Sequence, residues 1–211
     1  SVSCIDGANN SGTTASRSFT VDTTFPTISI ESPANSTYNT SDIGLNYTAA
    51  DANLDSCWYV LNGGSPISIP SCQNVSPIPS LAEGPNSISV YDNDTAGNTN
   101  SSTVYFTVTT TGPTVLLTSP DDGFISPSAS LEFTFNETDP VYAAVSCDLI
   151  VNGTIVNTTL TSNDTPTTMG YTVPYDGAYT WSVSCIDGAN NSGTTAPRSF
   201  TVDTTFPTIS I

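Results

Sequence analysis

Residues 179–185 read YTWSVSC, and the apolar side chains in this stretch stand at alternate positions. Successive side chains of a β-strand point to opposite faces of a sheet, so the stretch predicts a strand with one buried face. The same alternation recurs in four further groups: Ile43, Leu45 and Tyr47; Ile88 and Val90; Val104, Phe106 and Val108; Leu131, Phe133 and Phe135.

Tight turns separate these strands. Asn62-Gly63-Gly64 and Asn152-Gly153 predict hairpins, because Asn and Gly accept the positive φ angles that a two-residue turn requires. No segment combines helical periodicity with capping residues. About seven short strands in about 90 residues is typical of an immunoglobulin (Ig)-like β-sandwich. The predicted fold class is therefore all-β, with tandem Ig-like sandwiches arranged as a rod.

A long internal repeat defines the organisation of the chain. Residues 1–30 and 182–211 differ only at Ser16 against Pro197, which gives a period of 181 residues. Within that period, Phe-Thr-Val recurs at 19–21, 106–108 and 200–202, each time followed by a linker-like stretch. The prediction is four segments: the last strands of a preceding Ig-like domain in 1–21, domain A in 22–110, domain B in 111–202, and the start of another domain A in 203–211.

The linkers favour an extended array. Pro26 and Pro113 fix their own φ angles and bias the preceding residue toward extended geometry. We therefore expect a rod, and we expect the chain to be a window on a longer array of the same repeats.

The charge of the chain is strongly one-sided. It has 19 acidic residues, two arginines, no lysine and no histidine, for a net charge of −17. A nucleic-acid partner is not expected, because no basic stripe exists to displace counterions. Direct membrane insertion is not expected either, because no apolar run approaches the ~20 residues of a span. Without histidine or lysine, a Ser-His-Asp triad, a Schiff base and a Lys–Asn isopeptide bond are all excluded.

The five cysteines predict two disulfides. Cys4 is the repeat copy of Cys185, and Ser56-Cys57 aligns with Ser146-Cys147. We pair Cys147 with Cys185. Because we assign Val90 to the place of Cys185 in domain A, Cys57 is left to pair with Cys72. The alternative is five free buried thiols. Disulfides indicate an oxidising compartment.

Two motifs resemble those of a known group of proteins. Asp92-Asn-Asp-Thr-Ala-Gly-Asn98, and the linker Asp22-Thr-Thr-Phe-Pro-Thr27 followed by Ser32-Pro-Ala-Asn-Ser36, resemble the tandem Ig-like repeats of giant prokaryotic cell-surface proteins. The abundance of asparagine and of sequons is similar to archaeal members. The resemblance implies the architecture, and it implies a role among surface coats, adhesins, stalks and filaments. The chain departs from the family pattern at Phe25 and Gly112, where proline is usual, and at Gly188-Ala189.

Glycan attachment is predicted at N-x-S/T sequons, some of which arise by chance in so polar a chain. The candidates are Asn9, Asn35, Asn39, Asn46, Asn74, Asn93, Asn100, Asn136, Asn152, Asn157, Asn163 and Asn190.

Loop carboxylates are candidates for calcium, which prefers clustered oxygen ligands. The candidates are Asp51 and Asp55 in one loop and Asp92 and Asp94 in another, and Asp121, Asp122 and Asp139 repeat the idea in domain B. The alternative is solvated carboxylates that form Asx-turns.

Two enzyme-like readings are weaker. A glycosidase pair would need Glu132 with Glu137, or Asp51 with Asp55, facing each other across a cleft. Trp58 and Trp181 are expected in the sandwich cores rather than as sugar-stacking platforms.

Taken as a whole, the sequence predicts a structural subunit of an extracellular filament or surface assembly, located at the cell surface, and not an enzyme. The expected partners are copies of the same chain, through serine- and threonine-lined strands such as 101–103 and 107–111. No cofactor is required, with calcium and glycan as candidates. The alternative function is an adhesin stalk that presents a distant binding domain.

Overall fold

The structure is a computed structural model that describes residues 1–209, and nearly all of its regular structure is β-strand. Within that range the only helix is a 3₁₀ turn, Pro70–Cys72, and none of the described residues forms a helix long and apolar enough to cross a membrane. The strands before the second linker are β1 Ser3–Ile5, β2 Ser11–Thr13, β3 Thr27–Ser32, β4 Thr37–Tyr38, β5 Asn46–Ala50, β6 Leu54–Leu61, β7 Ile67–Ile69, β8 Gly84–Asp94 and β9 Thr99–Val108. The later strands are β10 Thr114–Ser119, β11 Phe124–Ser126, β12 Ser130–Thr138, β13 Ala144–Val151, β14 Thr154–Ser162, β15 Thr167–Thr172, β16 Gly177–Ile186, β17 Ser192–Thr194 and β18 Arg198–Val202.

Strands β3 to β9 form what we call the first sandwich. One sheet is the pair β3-β5, and the other has the order β4-β9-β8-β6-β7. The neighbours are antiparallel except β4 and β9, which run parallel. The chain therefore crosses from one sheet to the other between β3 and β4, which ties the two layers together.

Strands β10 to β18 form the second sandwich, which repeats this plan. One sheet has the order β10-β12-β15, and the other has the order β11-β18-β16-β13-β14, with β17 added to β16. Strands β11 and β18 are parallel, as β4 and β9 are. The second sandwich gains a third strand, β15, on its smaller sheet. The all-β, sandwich-like architecture expected from the periodicity is confirmed.

Each sandwich has its own apolar core, and the alternating residues that the sequence singled out make up about half of the two cores. Ile88 and Val90 are fully buried in the first core, and Phe133, Phe135 and Trp181 lie in the second. The Phe133 and Trp181 rings are 5.0 Å apart between centroids. Burial of such side chains, at about 1.5–3 kcal/mol each, is the main force that holds each sandwich together.

Disulfide bonds join Cys57 to Cys72 and Cys147 to Cys185, the two pairs expected from the sequence. The first bond ties β6 to the 3₁₀ turn. The second connects directly opposed residues of the adjacent strands β13 and β16. Cys4 is a free, exposed thiol.

Residues 1–21 form only a short hairpin, β1-β2, that is exposed along its length. The side chain of Phe19 is 87% exposed, whereas its repeat copy Phe200 is 1% exposed in the second sandwich. Val2 and its copy Val183 differ in the same way, at 66% against 0%. The apolar side chains of residues 1–21 are therefore exposed, whereas their repeat copies on β16 and β18 are buried in the second core.

Candidate functional site

The Asp-to-Asn turn after β8 is closed by its own side chains. Asp94 Oδ1 accepts hydrogen bonds from the backbone N–H groups of Ala96 and Asn98, at 2.9 and 2.8 Å. The Asn98 amide donates to Asp94 Oδ2 at 2.7 Å. These bonds, led by the one from the Asn98 side chain, lower the pKa of Asp94. The carboxylate therefore stays ionised near neutral pH and fixes the Asn98 amide in place.

The turn after β16 has the same bonds although its glycine and alanine are in the reverse order. Asp187 accepts from the backbone of Ala189 and Asn191, both at 2.8 Å, and from the Asn191 amide at 2.8 Å. The turn after β1 repeats the pattern with Asp6 and Asn10. The turn therefore depends on the Asp, on the Asn four residues later, and on a residue before that Asn that accepts a positive φ angle, which is Gly97, Asn190 or Asn9 in the three copies.

The fixed Asn98 amide holds the segment that enters the first sandwich, residues 22–26, which we call the first linker. It donates to the backbone carbonyls of Thr24 and Asp22, at 3.1 and 3.3 Å. The Asn100 amide donates to Pro26 O at 2.8 Å. Side-chain amides of the first sandwich thus fix the direction from which the chain enters it.

Residues 109–113, the second linker, are held from both sides. The Asn191 amide of the second sandwich donates to Thr109 O at 3.0 Å. Glu83 of the first sandwich accepts from Thr110 N at 2.8 Å, from Thr110 Oγ1 at 2.9 Å and from Thr111 N at 3.2 Å. Neither sandwich can turn about this linker without losing hydrogen bonds.

Gly112 is required at this joint. A Cβ atom on it would lie 2.8 Å from the backbone N and O of Ser192, closer than Cβ contacts in proteins allow. Gly112 therefore lets the second linker run directly against β17.

Residues 203–207, the third linker, repeat the sequence of the first linker. They show how such a linker contacts the sandwich that precedes it, whereas the first linker shows its contacts with the sandwich that follows. Asp176 of the second sandwich accepts from Thr204 N at 3.0 Å and from Thr204 Oγ1 at 2.9 Å. The Thr204 backbone bond is the leading cause of the lowered pKa of Asp176. Asp176 thus occupies the role that Glu83 has at the second linker.

Of the four calcium candidates in the first sandwich, the structure brings two together and adds an acid that the sequence analysis did not name as a ligand. Carboxylate oxygens of Asp51, Asp94 and Asp22 all lie within 4.8 Å of one another. Asp22 belongs to the first linker, far from the other two in sequence. Asp55 lies outside this group and is exposed near the start of β6.

The position of Asp92, the fourth candidate, shows that the predicted match of Val90 to Cys185 is wrong. It is the residue opposite Cys57 in the β6–β8 pair, as Cys185 is opposite Cys147 in the β13–β16 pair. Asp92, and not Val90, therefore takes the place of Cys185. It is fully buried, and neither of its carboxylate oxygens has a hydrogen-bond partner among the described residues. This burial is the main reason that its pKa is raised.

The acids of the second sandwich are arranged differently. Asp122 caps β18 by accepting from Ser199 N and Oγ, at 2.7 and 2.8 Å. Asp121 lies 3.8 Å from Arg198. Asp139 is buried at the end of β12 and accepts from Val141 N and Tyr142 N.

The candidate glycosidase pairs do not come together. Glu132 is exposed, whereas Glu137 points into the core, where burial raises its pKa and Thr161 donates to it. Asp51 belongs to the acid group of Asp22, Asp51 and Asp94, whereas Asp55 is exposed near the start of β6.

The tryptophans differ from expectation in one case. Trp181 lies in the second core, but Trp58 lies on the outer face of β6 and stacks in parallel on Tyr91, with 5.5 Å between ring centroids. Only one of the two is therefore a core residue.

The sequons separate by what their amides do. In four of them the amide nitrogen donates a structural hydrogen bond: Asn100, Asn136, Asn157 and Asn163. The amide nitrogens of the other eight make no hydrogen bond within the described residues: Asn9, Asn35, Asn39, Asn46, Asn74, Asn93, Asn152 and Asn190. Asn39 and Asn190 line the groove between the two sandwiches.

No family model matches this chain, and no curated protein matches it. Several solved structures are similar to it. A tetra-tandem repeat from the extending region of a large adhesion protein aligns with 96% of this chain and 55% of its own, at 17% identity and a TM-score of 0.42. A structure concerning host cell surface retention of a 1.5-MDa bacterial ice-binding adhesin aligns with 87% of this chain and 67% of its own, at 16% identity and a TM-score of 0.39. Fibronectin(III)-like modules of CbhA from Clostridium thermocellum align with 83% of this chain and 93% of their own, at 18% identity and a TM-score of 0.38. The strand pairing described above, rather than these likenesses, defines the fold.

Proposed function

We propose that this chain is a structural subunit of an extracellular filament or surface assembly, with the Ig-like sandwiches as its repeating units. One observation carries the proposal: the second linker is hydrogen-bonded by Glu83 of one sandwich and by Asn191 of the other. A linker held on both sides sets a preferred angle between neighbours. Repeats that meet at a constant angle build regular extended assemblies.

The third linker extends this reasoning to the other type of joint. Its sequence is that of the first linker, so the contacts of Asp176 with Thr204 and those of Asn98 with Thr24 describe the two sides of one junction. The first set uses the hydroxyl and N–H groups of the linker, and the second uses its carbonyls. Both sets can form at the same time in a longer array, which supports fixed joints throughout.

The two disulfides support the extracellular location that we propose, at the cell surface, because such bonds persist in oxidising compartments. Self-association is the interaction that we propose. The net charge of −17 disfavours lateral contacts built on charge. The outer edge of β9 is rich in serine and threonine, and β4 pairs with it only at Thr107 and Val108. Hydroxyl-lined edges of this kind can pair with another copy without ion pairs.

The joint is tested with the double variant Glu83→Ala/Asn191→Ala in the full chain. Small-angle scattering should show a broader distribution of interdomain distances than in the wild type, while each sandwich still unfolds cooperatively in urea. Glu132→Ala, which removes an exposed acid away from the linkers, is the matched control. A double variant whose scattering matches that control would show that these bonds do not hold the joint.

Assembly is tested separately, by sedimentation of an array of several complete 181-residue periods. A filament subunit should associate as concentration rises, and lower pH should strengthen the association because it reduces the negative charge. An array that stays monomeric across salt, calcium and pH would refute self-association. It would leave the stalk of an adhesin, a spacer with equally stiff joints, as the function.

A further inference from the structure

The larger sheet of the second sandwich ends on a long edge strand. Strand β14, Thr154–Ser162, is the last strand of that sheet, and within the described residues it pairs only with β13. It is nine residues long and reads TIVNTTLTS, without a charged residue or a proline. Soluble proteins usually keep edge strands short, or place charges or proline on them, because an open edge pairs with other chains. Strand β14 has none of these protections.

The backbone groups along this edge are free to pair. Asn163 N donates to Ala143 O at the end of the β13–β14 ladder, at 2.9 Å, which fixes where the hydrogen-bonded pairs lie. Hydrogen-bonded and non-hydrogen-bonded pairs alternate along antiparallel strands. In the register of these two strands, the N–H and C=O groups of Thr158 and Leu160 therefore point away from β13. No backbone group within residues 1–209 bonds to them.

The side chains along the edge suit contact with a second strand. Leu160 is 73% exposed and Ile155 is 57% exposed. The Thr158 hydroxyl donates to Asp148, so the carboxylate opposite it on β13 is already held within the sandwich. Asn157, a sequon residue, directs its amide to β15 of the other sheet and away from the edge. The edge is therefore apolar and lined by hydroxyls, in a chain whose net charge is −17.

The first sandwich closes the matching edge. Strand β7 occupies the place of β14 beside β6, but it has only three residues, Ile67–Ile69. The chain then enters the 3₁₀ turn that carries Cys72, which is bonded to Cys57 of β6. Beyond that turn, Val75 exchanges backbone hydrogen bonds with Leu45 of the same sandwich. Of these two matching edges, only that of the second sandwich is long and open.

We infer that two copies of this chain join through β14, by antiparallel pairing of the strand with β14 of the second copy. A row of unpaired N–H and C=O groups is matched by another extended strand. The partner strand must also tolerate an uncharged edge on a strongly negative chain, and β14 of a second copy does so because it carries no charge. Identical edges that pair antiparallel are related by a two-fold axis, as in most homodimers. The inference rests on the proposed self-association and names its surface.

The pattern of outward-facing groups sets the register. Pairing centred on Thr159 places Thr158 of one copy opposite Leu160 of the other, once on each side of the two-fold axis. These are the residues whose backbone groups point away from β13, so each opposed pair exchanges two hydrogen bonds. The two leucines then lie diagonally across the new strand pair, within reach of each other on the same face. The larger sheets of both copies become one continuous sheet.

Sedimentation of the full chain over a concentration series, with variants at position 160, tests the inference. The reference chain and all variants carry Cys4→Ser, because an exposed thiol could link two copies covalently. Leu160→Pro removes the outward N–H without removing a bond to β13, and edge strands tolerate proline at such positions. It should weaken self-association about tenfold or more relative to Leu160→Ala, which keeps the N–H, because symmetry removes two hydrogen bonds at once.

A charge at the same position gives a second test. Leu160→Glu should weaken self-association about as much as Leu160→Pro, because it brings two carboxylates onto one face of the paired strands. The matched control is Leu116→Glu on β10, where the leucine is similarly exposed, at 68%. This control should associate as the reference chain does.

A full chain that stays monomeric at millimolar concentration would overturn the inference. So would a Leu160→Pro chain that associates as Leu160→Ala does, or a loss in Leu116→Glu as large as that in Leu160→Glu. In the array of several periods, association that survives Leu160→Pro in every period would place the contact on another edge, such as that of β9, and the proposed function would stand. An array that never associates would refute self-association itself, so the two failures are distinguishable.

Discussion

The place opposite Cys57 allows a decisive substitution. Cys57 and Asp92 are directly opposed on β6 and β8, as Cys147 and Cys185 are on β13 and β16. We predict that the double variant Cys72→Ala/Asp92→Cys forms a bond between Cys57 and the new thiol. The first sandwich would then have the disulfide arrangement of the second.

The expected change in stability has two parts. The existing bond spans 15 residues and is worth about 3 kcal/mol in the chain-entropy relation. A bond from position 57 to position 92 closes a loop of 35 residues, worth about 3.8 kcal/mol by the same relation. Removal of the buried, unpartnered carboxylate adds about 1–3 kcal/mol to the free energy of unfolding. Near pH 7 the double variant should therefore be more stable than the wild type by about 2–4 kcal/mol.

Urea unfolding in EDTA, followed by tryptophan fluorescence, measures this difference. Trp58 is the only tryptophan in the first sandwich, so a Trp181→Phe background reports on that sandwich alone. Cys72→Ala by itself should lose about 3 kcal/mol. Asp92→Asn by itself isolates the part due to the carboxylate. If Cys57 is alkylated in the native double variant, or if that variant unfolds before the wild type, the assigned register of β6 and β8 is wrong.

Three further predictions follow from single residues. Burial raises the pKa of Asp92 above its unfolded value. The protonated carboxyl therefore stabilises the fold fully below the ordinary Asp pKa of about 3.9, and this stabilisation is lost as pH rises through the raised pKa. The urea midpoint of Asp92→Asn should therefore equal that of the wild type at pH 3 and exceed it increasingly toward pH 7. In protein purified from its native source, glycopeptide mass spectrometry should find glycan among the sequons whose amide nitrogens make no hydrogen bond, such as Asn39 and Asn190, and none at Asn100 or Asn163, whose amides are already donors. Trp181→Ala should cost about 3–5 kcal/mol of unfolding free energy in the second sandwich, whereas Trp58→Ala should cost clearly less in the first, because Trp58 lies outside the core.

Periodicity was sufficient to locate five central strands, β5, β8, β9, β12 and β16, and about half of the buried apolar residues. The alternation around Trp181 and around Phe133 predicts one buried face, and those residues are buried. The signal was ambiguous on β6, where Trp58 and Val60 alternate with Cys57 and Tyr59 and both faces look apolar. There the core side is decided by the opposite sheet, which local sequence does not describe.

The positions of Asp92 and Asp22 could not be predicted from the sequence, because both depend on contacts between segments that are distant along the chain. Alternation on β8 favours Val90 as the match to a buried cysteine, because an apolar residue is the usual occupant of a core position. The register of β6 on β8 places the charged Asp92 there instead. Asp22 was not singled out because it stands in a linker, and only the return of the chain past the Asp94 turn brings the two together.

The placement of the disulfides has a mechanical consequence. When an array is pulled from its ends, residues enclosed by a disulfide cannot contribute to its extension. The bond in the second sandwich encloses 38 residues and withholds about 130 Å of chain length, whereas the bond in the first encloses 15 residues and withholds about 50 Å. Stretched to unfolding, the two kinds of sandwich would therefore yield in unequal steps, and the first would release the greater length.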